Sequence, residues 1–119
     1  ADAAYRAALT RLRGLPADQK PVLYERYGAF LKTRNRRDEA FPLWEKWAAC
    51  SPDDPSPCIE ISKYYEWHAR NIAEAQEWAG QALLCLSHWH KGWRHEEAWR
   101  AAQRRLERLK RKQTTDEGR

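Results

Sequence analysis

Apolar side chains recur along this chain at three- and four-residue intervals, and no run alternates over the length of a strand. Tyr5, Ala8, Leu9 and Leu12 fall at i, i+3, i+4 and i+7, the spacing that gives a helix one buried face. Trp99, Ala102, Leu106 and Leu109 form a second such stripe near the other end. β-Branched residues are few, while Ala, Leu, Glu, Arg and Gln are abundant, which favours helix over sheet. Breakers divide the pattern at Gly14-Leu15-Pro16, at Asn35, through Ser51–Pro57, at Asn71 and around Lys91-Gly92. The expectation is an all-α fold with helices over about 2–13, 18–33, 36–50, 56–69, 72–87 and 93–112, lengths usual for globular helices. The tail 113–119 contains Thr-Thr-Asp-Glu-Gly, has nothing to bury and is expected to fray.

A longer period overlies the helical one. Tyr24, Tyr27-Gly28, Leu31, Ala40, Trp44, Trp47 and Pro52 stand at the spacings of a 34-residue helical hairpin, and this stretch resembles a tetratricopeptide repeat. The resemblance implies two antiparallel helices that touch closely at Gly28, with Ala40 as the small partner across the contact and Pro52 ending the second helix. A weaker copy starts near Pro55 with Cys58, Ile61-Ser62, Tyr65, Ala75, Ala79, Ala82 and Ser87, where Ser62 stands for the glycine and Ser87 for the proline. Tyr65 and Ala75 are ten residues apart whereas Leu31 and Ala40 are nine apart, so one extra residue is expected in the turn near Arg70-Asn71. The implied organisation is one domain over residues 1–112, with repeats at 21–54 and 55–89 stacked as a short right-handed solenoid. Each hairpin exposes an apolar face, so the helices 2–13 and 93–112 are expected to cap the stack.

The stretch from Ile61 to Leu83, with Lys63-Tyr64-Tyr65-Glu66, a basic turn, Glu74-Ala75, Trp78 and Ala82-Leu83, is similar to the helical tail of bacterial ribonuclease-H-like proteins. Arg36-Arg37-Asp38-Glu39-Ala40-Phe41-Pro42-Leu43-Trp44-Glu45 and the basic run Arg104–Lys112 extend the likeness over about residues 20–112. The resemblance implies an exonuclease-type domain upstream, in keeping with a chain that begins at Ala1 and contains no Met. The acidic catalytic residues of that family belong to the upstream domain, so none is assigned here.

Composition narrows the function classes. A length of 119 residues fits one domain, and 42% apolar residues are too many for a disordered chain, although the mean hydropathy of −0.98 implies a very polar surface. No window reaches the roughly 18 apolar residues of a membrane span and no signal peptide opens the chain, so a cytoplasmic protein with no membrane partner is expected. The net charge of +5 is concentrated: residues 1–93 hold 13 basic and 12 acidic side chains, residues 94–112 hold 8 and 3, and residues 113–119 hold 1 and 2. Arg100, Arg104, Arg108 and Arg111, with Arg105 beside them, make one basic stripe that is a candidate for nucleic-acid contact. The same cations suit a capping helix whose C-terminal dipole favours positive charge.

A stacked repeat would present the first helix of each hairpin to a peptide or partner helix. The candidate partner-binding residues are therefore Val22, Glu25, Ala29 and Lys32 in the first hairpin and Ile59, Lys63, Glu66 and Trp67 in the second. A solvated amphipathic face with no dedicated ligand is the other reading of these positions. Of seven Trp, packing on helix faces accounts for Trp44, Trp47, Trp78 and Trp99, Trp89 and Trp93 bracket the last turn, and Trp67 is expected as an exposed contact.

Cys50, Cys58 and Cys85 are odd in number and lack a CxxC spacing, which points to a reducing compartment. Cys85, His88, His90 and His95 lie within eleven residues, and His68 could approach, but the second Cys of a usual zinc pair is missing. No metal or cofactor is assigned. Glu96-Glu97, Asp53-Asp54 and Asp38-Glu39 are adjacent carboxylates that point apart or cap helices, and no nucleotide fingerprint, HExxH or nucleophile elbow occurs, so no catalytic residue is assigned. The sequence thus reads as a non-catalytic protein-interaction scaffold whose partner is a protein or peptide, its own upstream domain included. The alternative is a basic helical module that contacts nucleic acid through residues 94–112.

Overall fold

The helices stop where the sequence places its breakers. The computed structural model describes residues 2–89 and 92–117, and over these the chain is all-α with six helices and no strand. They are α1 (Asp2–Thr10), α2 (Gln19–Thr33), α3 (Arg37–Cys50), α4 (Ser56–Lys63), α5 (Ile72–Ser87) and α6 (Trp93–Glu117). The chain divides into two compact units, one ending at Ser51 and the other beginning at Pro52, so the boundary falls at the end of the first repeat.

In the first unit α2 and α3 form an antiparallel hairpin. Asn35 takes the left-handed conformation (φ 59°), and the Arg36 N–H donates to the Leu31 carbonyl at 2.8 Å while the Asn35 N–H donates to Lys32 at 3.1 Å. This pair of bonds satisfies carbonyls that the helix end would otherwise leave open, and Asn is the non-glycine residue that tolerates that conformation best. The side chains at repeat spacing point inward: Tyr24, Tyr27, Leu31, Ala40, Leu43, Trp44 and Trp47 are all buried. At Gly28 the close neighbour is Trp44 rather than the expected Ala40. A Cβ on Gly28 would lie 2.6 Å from the indole Nε1, so the missing side chain makes room for an aromatic ring. Helix α1 ends at Thr10, short of the expected residue 13, and a 3-10 turn at Leu12–Gly14 leads into the breaker. Its Tyr5 stacks on Tyr27 with ring centroids 4.9 Å apart, and the Tyr27 hydroxyl donates to the Asp2 carboxylate at 2.8 Å.

The second unit repeats the hairpin with two changes. Ser62, in the glycine position, is buried and donates from its hydroxyl to the Ala75 carbonyl at 2.8 Å, so a hydrogen bond ties the helices. The extra residue does not sit in the turn. Helix α4 passes into a π-helical turn over Tyr64–His68, in which the Ala69 N–H donates to the Tyr64 carbonyl five residues back at 2.9 Å. One inserted residue widens a helix in this way. The turn itself mirrors the first, with Arg70 at φ 57° in the place of Asn35, and the Asn71 side chain then caps α5 by accepting from the Glu74 N–H at 3.1 Å.

Helix α5 carries Ala79 where α3 carries Trp44. The space left by Ala75 and Ala79 takes Leu109 of α6, and all three are fully buried. Ala102 is buried on the same side of α6, as the stripe predicts. The tail does not fray at residue 113: α6 runs on to Glu117, and Gln113 is held by a hydrogen bond from the Gln76 amide.

Candidate functional site

The π-turn decides the chemistry of the second unit because it places Glu66 inside the protein. Glu66 is fully buried, not part of an exposed partner face as expected from the sequence. Arg108 grips its carboxylate with both guanidinium nitrogens, Nη1 to Oε2 at 2.5 Å and Nη2 to Oε1 at 2.9 Å. Arg105 Nη1 adds a bond to Oε1 at 3.1 Å, and Lys112 Nζ lies 3.6 Å from Oε2. Positions 105, 108 and 112 are spaced i, i+3 and i+7, which puts them on one face of α6. A buried carboxylate is stable when ion pairs and hydrogen bonds replace its hydration, and these three cations do so.

The same contacts divide the arginine stripe between two roles. Arg105 and Arg108 turn toward Glu66, whereas Arg100, Arg104 and Arg111 are exposed on α6. The three cations outnumber the single anion. Burial first, and then the charge of Arg108, push the Arg105 pKa down, against the pull of Glu66, although a guanidinium stays protonated.

Trp67, the next residue in the π-turn, is 56% exposed as expected. Lys112 Nζ stands 4.0 Å from the centroid of its ring and the Arg108 Cζ 5.5 Å from it, so the cations of the Glu66 cluster also cover the indole.

Helices α4 and α6 both pack against α5 and scarcely touch each other. Between them runs a groove of about 910 Å³. Ile59, Leu86, Ala98, Ala101 and Ala102 give it an apolar floor, and Lys63 on α4 faces Arg104, Arg105, Arg108 and Arg111 on α6 across it. The groove thus unites candidates of both kinds: Ile59 and Lys63 from the partner face, and four arginines from the basic stripe. Glu60 and Glu107 are the acidic residues of its lining, and Glu60 lies 3.9 Å from Lys63. A second hollow of about 390 Å³ is lined by Ser87, Trp89, His95, Glu96, Trp99 and Arg100, with His95 stacked on Trp99 at 5.7 Å.

The other candidates lie elsewhere. Val22, Glu25 and Ala29 are exposed and Lys32 is half-buried on α2, in the first unit. Cys85 donates its thiol to the Pro52 carbonyl at 3.1 Å and is clustered with Cys58 in the core of the second unit. Burial, reinforced by Cys85, pushes the Cys58 thiol up to about 12. His90 lies outside the described residues, and among those described no group of three or more His, Cys, Asp or Glu converges to hold a metal ion.

Sequence reasoning missed the internal carboxylate, although its signals were present. The ten-against-nine count marks an insertion, Glu66 is within it, and a basic i, i+3, i+7 set occurs on a later helix. Comparison of the chain with family models, with curated proteins and with solved structures finds no match.

Proposed function

We propose that this chain is a non-catalytic protein-interaction scaffold of tetratricopeptide type, with the α4–α6 groove as its docking surface. The groove itself carries the reading, because an apolar floor with a charged rim between two helices is a surface that excludes water when a partner segment fills it. The hairpin spacing supports the repeat assignment, with Gly28 and Ser62 at equivalent positions on the first helix of each hairpin, one against Trp44 and the other bonded to Ala75. The sequence likeness to the tails of bacterial ribonuclease-H-like proteins supports a cytoplasmic role beside such a domain, which is then one partner to test. Among the described residues no helix is long and apolar enough to cross a membrane.

Nucleic-acid binding is the second reading, favoured by the exposure of Arg100, Arg104 and Arg111 on one helix. It is the weaker because Arg105, Arg108 and Lys112 are engaged by Glu66. One pair of measurements separates the readings. A random peptide library is panned on the 119-residue chain and counter-selected on the Ala101→Trp variant, which fills the groove from an exposed position. The chain is also titrated with single- and double-stranded oligonucleotides at low and raised salt. Peptides that prefer the native groove support the scaffold. No such peptides, together with salt-sensitive oligonucleotide binding lost in the Arg100→Gln/Arg104→Gln/Arg111→Gln variant, would transfer the function to nucleic acid.

A further inference from the structure

We infer that the segment held by the α4–α6 groove is an acidic amphipathic helix; the inference rests on the scaffold reading and names its partner class. Three features of the groove define the occupant.

The first is shape. The α6 wall runs from Ala98 to Arg111, about 20 Å at the helical rise per residue. A helix about 10 Å across and 20 Å long fills roughly 1,600 Å³, so a groove of about 910 Å³ takes roughly half its cross-section. The other half stays in solvent, which requires an occupant with one apolar and one polar face. Ala98, Ala101 and Ala102 project little side chain from the wall, and their i, i+3, i+4 spacing is a shallow groove into which the ridge of another helix packs.

The second is the backbone. An extended peptide brings unpaired N–H and C=O groups into the groove and needs acceptors as well as donors for them. The walls are helices whose backbones pair internally along their length, and against five cationic donors the lining offers as side-chain acceptors Ser56, Glu60 and Glu107. A helical occupant satisfies its own backbone and asks nothing of the walls.

The third is charge. Five cations line the groove against Glu60 and Glu107, and the carboxylate of Glu66 is shared by three cations behind the wall. The rim remains positive, and Arg105 feels the repulsion of Arg108. Glu or Asp at the flanks of the bound helix balances that excess and steers its approach.

Peptides enriched on the native chain and depleted on Ala101→Trp provide the test. They are expected to carry apolar residues at i, i+3 or i+4 and i+7 with acidic residues on either side, over about 14 residues. A synthetic copy of an enriched peptide should gain helical circular dichroism on binding. Its affinity should fall about tenfold for Arg104→Glu and also fall as salt is raised from about 0.05 to 0.5 M. Arg104 is exposed, so unchanged far-ultraviolet dichroism of the variant separates a lost contact from a lost fold. Enriched peptides that are basic or neutral, or that bind without becoming helical, overturn this inference and leave the scaffold reading standing. Failure to enrich any peptide overturns both.

Discussion

Glu66→Gln is the substitution that most directly tests how the second unit is held together. It keeps the size of the side chain and one carbonyl acceptor but removes the negative charge that Arg105, Arg108 and Lys112 share. Glu66 is fully buried, while the side chains of Arg105, Arg108 and Lys112 retain 17%, 39% and 31% of their exposure. Removing one partner of a fully buried ion pair costs about 3–5 kcal/mol, whereas exposed pairs contribute at most about 1 kcal/mol. The cations here can turn partly to water once released, so the expected loss lies between these limits, at about 2–3 kcal/mol. For 119 residues the unfolding entropy is about 0.25 kcal/mol/K, and the melting temperature should fall by about 8–12 °C. Urea unfolding followed by Trp fluorescence and circular dichroism measures the loss. A double-mutant cycle with Arg108→Gln isolates the pair and should give a coupling of about 1–2 kcal/mol. A Glu66→Gln stability within about 0.5 kcal/mol of the native chain, or two single losses that simply add, would refute the argument that this carboxylate fastens α6.

Four further outcomes follow from other contacts. Gly28→Ala forces a Cβ to 2.6 Å from the buried indole of Trp44; against a gain of about 1 kcal/mol in helix propensity it should cost a net 1–2 kcal/mol, approximately. The loss should shrink in a Trp44→Phe background, and an unchanged urea midpoint would contradict the packing argument. Iodoacetamide should modify exposed Cys50 in the folded chain but reach Cys58 only on unfolding. Because the Cys58 pKa rises from 9.0 in the unfolded chain to about 12 in the fold, its contribution to stability is complete below pH 9 and is lost as the pH rises toward 12. Cys58→Ala should therefore flatten the alkaline decline in the urea midpoint, and an identical decline in both proteins would exclude the thiol as its source. Trp67→Ala removes the ring under Lys112 and Arg108, and a loss of about 1 kcal/mol is expected by thermal denaturation, with no loss meaning that the cations gain nothing from the indole.

Secondary structure was legible in the sequence because it depends on short-range chemistry. The apolar period, Asn35, Asn71 and the proline cluster act within one or two helical turns, and they place the six helices closely. The interior of the first hairpin was equally legible, from Tyr24 to Trp47, since a helix with one apolar face buries that face. Even the count that betrays the inserted residue is a local property.

What the insertion does belongs to the tertiary structure. Whether an extra residue lengthens a loop or opens a π-turn depends on which arrangement finds partners for the side chains it displaces. Here Glu66 finds Arg105, Arg108 and Lys112, about forty residues downstream, and spacing alone gave no sign that this carboxylate and these cations meet. The sequence by itself determined an all-α chain with a basic last helix. Only the packing of α6 on α5, made close by Ala75 and Ala79 around Leu109, decided which of its cations turn inward to a buried carboxylate and which border the groove. Periodicity records what each helix can bury, but the charge a surface presents depends on the partners that each ion meets after folding.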